Sequence, residues 1–316
     1  MNAMGGVAAE AAQVRAIGLK FEVGARTLAT VRRALVRVPL TLDAARAGTP
    51  PRLPPLPREA QGYLVTSLPE SLQAETIAAS GGMIGFVRQR YTRYFIDLGI
   101  GFDAWWQGLS ANARQGIKRK AKKIAAHSGG ELDVRRFRTA DELDAFHAAA
   151  RGISARTYQE RLLGSGLPEG AAFRAEMHAL AATGQVRAWL LYLAGEPIAY
   201  LYCPVVEGVV IYAHVGHDPA FNELSPGAVL QLEAMRDLFA AGRFARFDFT
   251  EGEGQHKRQF ATGGIACVDL LLLRPSLANR AILAALGGFD GAVALAKRGV
   301  QAAGLERLAK RVRRGS

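Results

Sequence analysis

The sequence predicts an α/β fold in which helices cover a mixed sheet. Two observations carry that expectation. From residue 132 onward, strand-like and helical runs follow the order strand, helices, three antiparallel strands, helix, strand, short helix, strand. The three middle strands, 186–193, 197–203 and 209–217, are apolar on both faces, as strands covered on both sides are.

Taken in chain order, residues 1–20 are expected to be poorly ordered. Residues 21–40 read as a hairpin or a short basic helix. Residues 48–57 form a proline-rich, semi-rigid linker. Strands at 62–68 and 83–98 flank a short helix. A helix from residue 102 carries an apolar stripe of Trp105, Trp106, Leu109, Ala113, Ile117 and Ile124, read as core. After the strand 132–137, Thr139 and Glu142 make a capping box for the next helix. Helices at 156–163 and 173–182 precede the three strands. A further helix, 228–240, buries Val229, Leu232, Met235 and Phe239. Strands at 244–250 and 265–273 and a helical tail complete the chain. Four segments result: 1–59 as basic segment and linker, 60–130 as a reduced first α/β unit, 131–275 as the main domain and 276–316 as the tail.

Composition narrows the class. Hydrophobic residues make up 49% and charged residues 22%, which is globular and not disordered. The net charge of +12 favours polyanionic partners: nucleic acid, an anionic membrane surface or a phosphorylated cofactor. Cys203 and Cys267 lie in apolar runs with no CxxC and no Cys/His cluster, so buried free thiols are expected and a metal site is not. Residues 1–30 lack the apolar core of a signal peptide. Asp290 and three glycines interrupt the best apolar run, 281–296, so no membrane-spanning segment is expected and a cytoplasmic location is.

Two basic regions stand out. Arg114, Lys118, Arg119, Lys120, Lys122 and Lys123 occur with no acidic residue among them, spread over more than one helix face. They read either as a phosphate contact, to tRNA or an anionic surface, or as a solvated face. No aromatic residues interleave with them, which argues against single-strand binding. The tail carries Arg307, Lys310, Arg311, Arg313 and Arg314, and reads as a solvated tail or as a peripheral membrane contact.

The candidate site lies between Tyr212 and Ala261. Ser225-Pro226-Gly227 opens a helix between two strands, and the start of a helix suits an anion such as a phosphate. Backbone N–H groups from Ser225, Gly227, Ala228 and Val229 are available there, and Pro226 gives up only an N–H that has no helical partner. The polar turn after the second strand holds Glu251, Glu253, His256 and Lys257. Transfer of an acyl group needs three things: a held donor, a polarised thioester oxygen and removal of a proton from the acceptor. A backbone N–H near Tyr212 to Val215, or Lys257, suits the second. Asp248, Glu251, Glu253, His214 and His256 are the titratable candidates for the third. Asp248, inside an apolar strand, is read either as a base or as a structural acceptor of backbone N–H groups.

Several motifs then carry a resemblance. Gly195-Glu196-Pro197-Ile198-Ala199, Tyr212, Asp218, Ser225-Pro226-Gly227, Leu230, Phe247-Asp248-Phe249, Gly252 and Lys257 occur in the order and spacing of the GNAT acyltransferase fold. With the basic helix at 114–123 and Gly129-Gly130, they resemble its CelD-like, cellulose-biosynthesis-type branch over residues 102–273. That branch is related to the Fem-type peptidyl transferases, which join two GNAT-like units and draw an aminoacyl group from tRNA. The resemblance implies a GNAT-like fold with a reduced first unit, and acetyl-CoA or another acyl-CoA as donor. It implies a small or sugar-like amine or hydroxyl acceptor, as in polysaccharide biosynthesis. It also implies donor contacts at Tyr212, Val215 and Ser225 to Val229, and a charge-neutralising role for Lys257. The chain departs from the branch at His256, where a tyrosine usually stands. It also has Asn222-Glu223-Leu224 in place of the glycine-rich pyrophosphate loop of simpler GNAT enzymes. An acyl-CoA transferase ranks first on these readings, a Fem-like aminoacyl-tRNA transferase second, and a non-enzymatic polyanion or membrane-surface binder third.

Overall fold

The structure, a computed structural model, describes residues 13–24, 26–157, 166–252 and 254–302. Most of the helix expected at 156–163, Glu253 and the basic end of the tail lie outside the described residues. The chain divides into two compact units, Met1–Tyr91 with Ile265–Ser316, and Thr92–Gly264. The four segments read from the sequence follow chain order, whereas these units group residues by packing. Strand 265–273 and the tail therefore join the N-terminal residues.

The first unit opens with a hairpin of β1, Val14–Val23, and β2, Arg26–Pro39, so residues 21–40 form strands and order begins before residue 20. Short helix α1, Leu42–Ala47, starts at Thr41, whose hydroxyl accepts from the Ala44 N–H, and stops at Gly48 with φ 63°. β3, Gly62–Pro69, runs parallel to β2 and antiparallel to β11, Gly263–Leu273, the last strand of the chain. Between β3 and β4, Ile84–Asp97, lies α2, Gln73–Ala78. Both β4 and β11 cross the boundary between the units along the chain.

Period-two alternation explains why β11 is apolar on both faces. Val268, Leu270 and Leu272 pack with Val36, Val65 and Leu68 on one side. Leu271 and Leu273 pack with Leu19, Leu35 and with Leu283 and Leu286 of α9, Leu277–Ala302, on the other. Asp269, buried between them, is satisfied by the Ser67 N–H at 3.0 Å, the Tyr91 hydroxyl at 3.1 Å and Gln89 Nε2 at 2.6 Å.

In the second unit the strand order is β4, β10, β8, β7, β6, β5. These are β5, Asp133–Phe137; β6, Val186–Leu193; β7, Glu196–Val206; β8, Val209–Ile211; and β10, Arg246–Asp248. β9, His214–His217, pairs with β7 beside this path. β10 is parallel to β8 and the remaining pairs are antiparallel, which makes the sheet mixed as expected. Trp189, Leu191, Leu201 and Cys203 face α7, Pro226–Ala241, and share its core with Trp105, Ile117 and Ile124. Ala188, Leu190, Tyr200 and Tyr202 face the opposite layer of α5, Ala140–Ser154, and α6, Ala171–Ala182. The Thr139–Glu142 capping box forms at the start of α5. Helix α3, Phe102–Gly108, buries Trp105, and α4, Ala111–Ala126, packs on α7. Both cysteines are buried and neither is in a disulfide. Among the described residues no helix is long and apolar enough to cross a membrane.

Gly62 is the tightest backbone approach in the first unit. A Cβ there would sit 1.9 Å from the Leu272 carbonyl oxygen of the paired strand, and φ is 158°. Gly62→Ala is expected to destabilise the protein by about 3 kcal/mol, since neither backbone can move without losing ladder bonds. Urea unfolding measures this, and Gly108→Ala, with open space around it, should leave the midpoint almost unchanged.

Candidate active site

The site begins with a broken strand. The run expected as one strand from 209 to 217 is two, β8 and β9, separated at Tyr212 and Ala213. Both pair with β7, Val210 opposite Val205 and His214 opposite Tyr202, so three residues on this side face two on the other. The extra residue is a bulge, and it falls where β7 carries Pro204, which has no N–H to donate. Here the Tyr212 N–H turns to the Asp248 carbonyl of β10, at 2.9 Å. β8 thus continues toward β10 while β9 diverges, and a cleft opens between β9 and the start of α7.

That cleft has a volume of about 540 Å³. Tyr212, Val215 and Gly216 line one wall; Ser225, Gly227, Ala228 and Gln231 of α7 line the other; and His256 and Phe260 close one end. Gly216 keeps the strand wall thin, since a Cβ there would meet the Tyr200 ring at 2.5 Å. His256 and Phe260 belong to α8, Gln255–Phe260, the short helix expected between the last two strands, which takes in part of the polar turn.

The start of α7 differs from the expected row of open amides. Ser225 sits in the left-handed region, φ 43° and ψ 56°, and its N–H donates to the Asn222 carbonyl at 3.0 Å. Pro226 is buried and has no N–H. The Ala228 and Val229 amides donate to the Ser225 carbonyl at 3.0 and 3.4 Å, and the Val229 side chain is in the core. Among the described residues, the Gly227 N–H is the amide at this end left for a ligand. What the backbone lacks, a side chain supplies: Lys120 of α4 reaches across and its ammonium donates to Ser225 Oγ. One lysine of the basic run therefore bonds a cleft-lining residue, whereas Lys118, Arg119, Lys122 and Lys123 are exposed.

The polar residues after β10 divide into two groups. Asp248 is fully buried and grips Arg93 of β4 with two hydrogen bonds, Nη2 to Oδ2 at 2.5 Å and Nε to Oδ1 at 3.2 Å. Its Oδ1 also accepts from the Thr250 N–H at 2.9 Å. The carboxylate is thus engaged inside the sheet, which is the structural-acceptor reading. Lys257 is 9% exposed, and its ammonium donates to the Glu251 carbonyl, so it braces the turn that follows β10. Asp248, Glu251 and Lys257 are not among the cleft-lining residues. His256 is. It stands at the mouth with its Nε2 3.5 Å from the Tyr212 hydroxyl, a long contact, and within ring contact of Phe249. Desolvation by these rings, then the nearby Lys257 charge, lowers its pKa below the usual histidine value and keeps the imidazole neutral. Desolvation raises the Tyr212 phenol above its ordinary value. His214 faces away, packed on Phe173 and Tyr202, and desolvation lowers its pKa. Among the described residues no three His, Cys, Asp or Glu side chains gather to hold a metal.

Sequence reasoning missed Gln231, Thr157 and Arg93 as parts of this region. Gln231 had left a signal, a polar residue inside the apolar run Val229, Leu230, Leu232. Arg93 sits in a strand and gave none.

A sheet that splays beside a helix N-terminus defines the GNAT fold, and residues 111–258 match the family described as Acetyltransferase (GNAT) domain. Comparison with curated proteins gives no match. Among solved structures, the crystal structure of FemX superposes with a TM-score of 0.52 at 10% identity, over 85% of this chain and 90% of that one. The C-terminal domain of a putative lysylphosphatidylglycerol synthetase from Agrobacterium fabrum has a TM-score of 0.49 at 12% identity, covering 73% and 72%. A tandem GNAT protein from the clavulanic acid biosynthesis pathway has 0.42 at 13%, covering 69% and 66%.

Two outcomes are expected from this geometry. Asp248→Ala leaves the Arg93 guanidinium buried without its carboxylate and should cost about 3–5 kcal/mol in denaturant unfolding, whereas Arg93→Met with Asp248→Leu should recover most of it. The second concerns pH. The unfolded His214 imidazole takes its proton near the ordinary histidine value of about 6.5, and the folded one only at lower pH. Above that value both states are neutral; as pH falls through and below it, the unfolded state binds the proton first and the fold loses stability. His214→Gln should therefore flatten the fall of Tm on acidification from about pH 6.5 to 5.

Proposed function

We propose that the second unit is an acyl-CoA-dependent transferase of the CelD-like branch. In this reading it moves an acetyl or other acyl group to an amine or hydroxyl of a small or sugar-like acceptor. The observation that carries the reading is the position of Lys120. The first turn of α7 is the positive end of a 16-residue helix. A lysine ammonium held against that end is electrostatically mismatched unless an anion lies between them. A phosphate there would satisfy the ammonium, the Gly227 N–H and the helix end together. The cleft leads from this point past Tyr212 and Val215 to His256.

The chemistry follows from those positions. The acceptor nitrogen or oxygen attacks the thioester carbonyl, the new C–N or C–O bond forms, and the C–S bond breaks. Neutral His256 takes the acceptor's proton, and the Tyr212 phenol, held protonated by burial, gives one to the departing thiolate. A backbone N–H at the Tyr212–Val215 break supports the carbonyl oxygen as charge develops. Lys257 and Asp248 act at one remove, by holding the turn and β10 in place.

The exposed cations Lys118, Arg119, Lys122 and Lys123 on α4 favour a second reading, a Fem-like transferase that takes its aminoacyl group from tRNA. Calorimetric titration with acetyl-CoA and with bulk tRNA, each at two salt concentrations, separates the two. Micromolar, weakly salt-dependent acetyl-CoA binding is expected, weakened about tenfold in Lys120→Ala. Steeply salt-dependent tRNA binding with no acetyl-CoA binding would replace the first reading with the second.

A further inference from the structure

Gln231 is out of place in the core. It lies on α7 three residues after Ala228 and four after Gly227, on the helix side that lines the cleft. Its sequence neighbours Leu230 and Leu232 are buried hydrophobics. The side chain is 4% exposed, yet Nε2 has no hydrogen-bond partner among the described residues. A buried amide left unpaired costs stability, and a leucine at this position would pack without that cost. The group therefore calls for a partner that arrives with the ligand.

Its placement says what the partner is. The anion subsite of Lys120 and Gly227 lies at the start of α7, and Gln231 lies about 6 Å further along the helix axis. A carboxamide offers a donor and an acceptor side by side, and its complement is another amide. We propose that Gln231 reads the donor's arm, pairing with a secondary amide that follows a phosphate by a few bonds in the ligand chain. This inference rests on the cleft being the donor site. The pantothenate-type arm of an acyl-CoA carries an amide at that spacing. The aminoacyl-ribose end of a charged tRNA carries an ester and hydroxyls there instead. Gln231 thus selects the class of donor, separately from the phosphate grip of Lys120.

The test uses the full chain and two probes, acetyl-CoA and adenosine bisphosphate, which has the phosphates but no amide arm. Gln231→Leu is expected to bind acetyl-CoA about tenfold more weakly than wild type. It should bind adenosine bisphosphate equally well and melt at the same or a higher temperature. Unchanged acetyl-CoA affinity in Gln231→Leu overturns the inference and leaves the donor site standing. Equal weakening for both probes, or a lowered Tm with it, shows that Gln231 only packs the wall and also overturns it. Absence of acetyl-CoA binding in the wild type overturns the donor site and the inference with it. Gln231→Met, flexible and of similar length, serves if the leucine variant does not fold.

Discussion

Between Val209 and His217 one stretch of chain serves two neighbours. Its ends pair with β7, while at Tyr212 the backbone turns to β10. A strand cannot satisfy both directions without a bulge, and the bulge sits where Pro204 has already removed one donor. The cleft is the space this divergence opens. Tyr212, Val215 and Gly216, which form its strand wall, take their positions from the break. The Arg93–Asp248 pair fixes the far side, because Asp248 supplies the carbonyl that receives the Tyr212 N–H and the carboxylate that receives the Thr250 N–H. A buried ion pair is an expensive way to hold two strands. Here it also sets the turn that ends in α8, so its cost is tied to the geometry of the site.

The electrostatics concentrate at one point. The helix dipole, the Gly227 N–H and the Lys120 ammonium all present positive charge to the same volume, and the exposed cations of α4 lie on the same helix as Lys120. Desolvation pushes the Tyr212 phenol toward its protonated form and, at the mouth, the His256 imidazole toward its neutral form. In the proposed reading, an anion at one end and a neutral acid–base pair at the other would suit transfer of an uncharged group from a phosphorylated carrier. Gln231, whose Nε2 has no hydrogen-bond partner among the described residues, lines the same cleft.

Much of the fold was legible in the residues. The apolar strands, the Thr139 capping box, the buried cysteines and the Ser-Pro-Gly helix start follow from periodicity and local hydrogen bonding, which act over a few residues. The hairpin at β1 and β2 was ambiguous because its alternation is weak and its arginines suit a basic helix as well. The division into units was not visible, because β11 and α9 join the N-terminal strands across most of the chain length.

In the site, sequence alone determined which residue types stood near α7 and β10, since their spacing is local. Tertiary structure decided which of them face the cleft. It placed Asp248 on Arg93 and turned Lys257 to the Glu251 carbonyl. It selected Lys120 from a run of chemically equivalent cations, and it left Gln231 unpaired among leucines. These outcomes depend on which side of a strand or helix a side chain leaves and on what a distant segment offers there. Hydrophobic periodicity constrains the first only in outline and the second not at all.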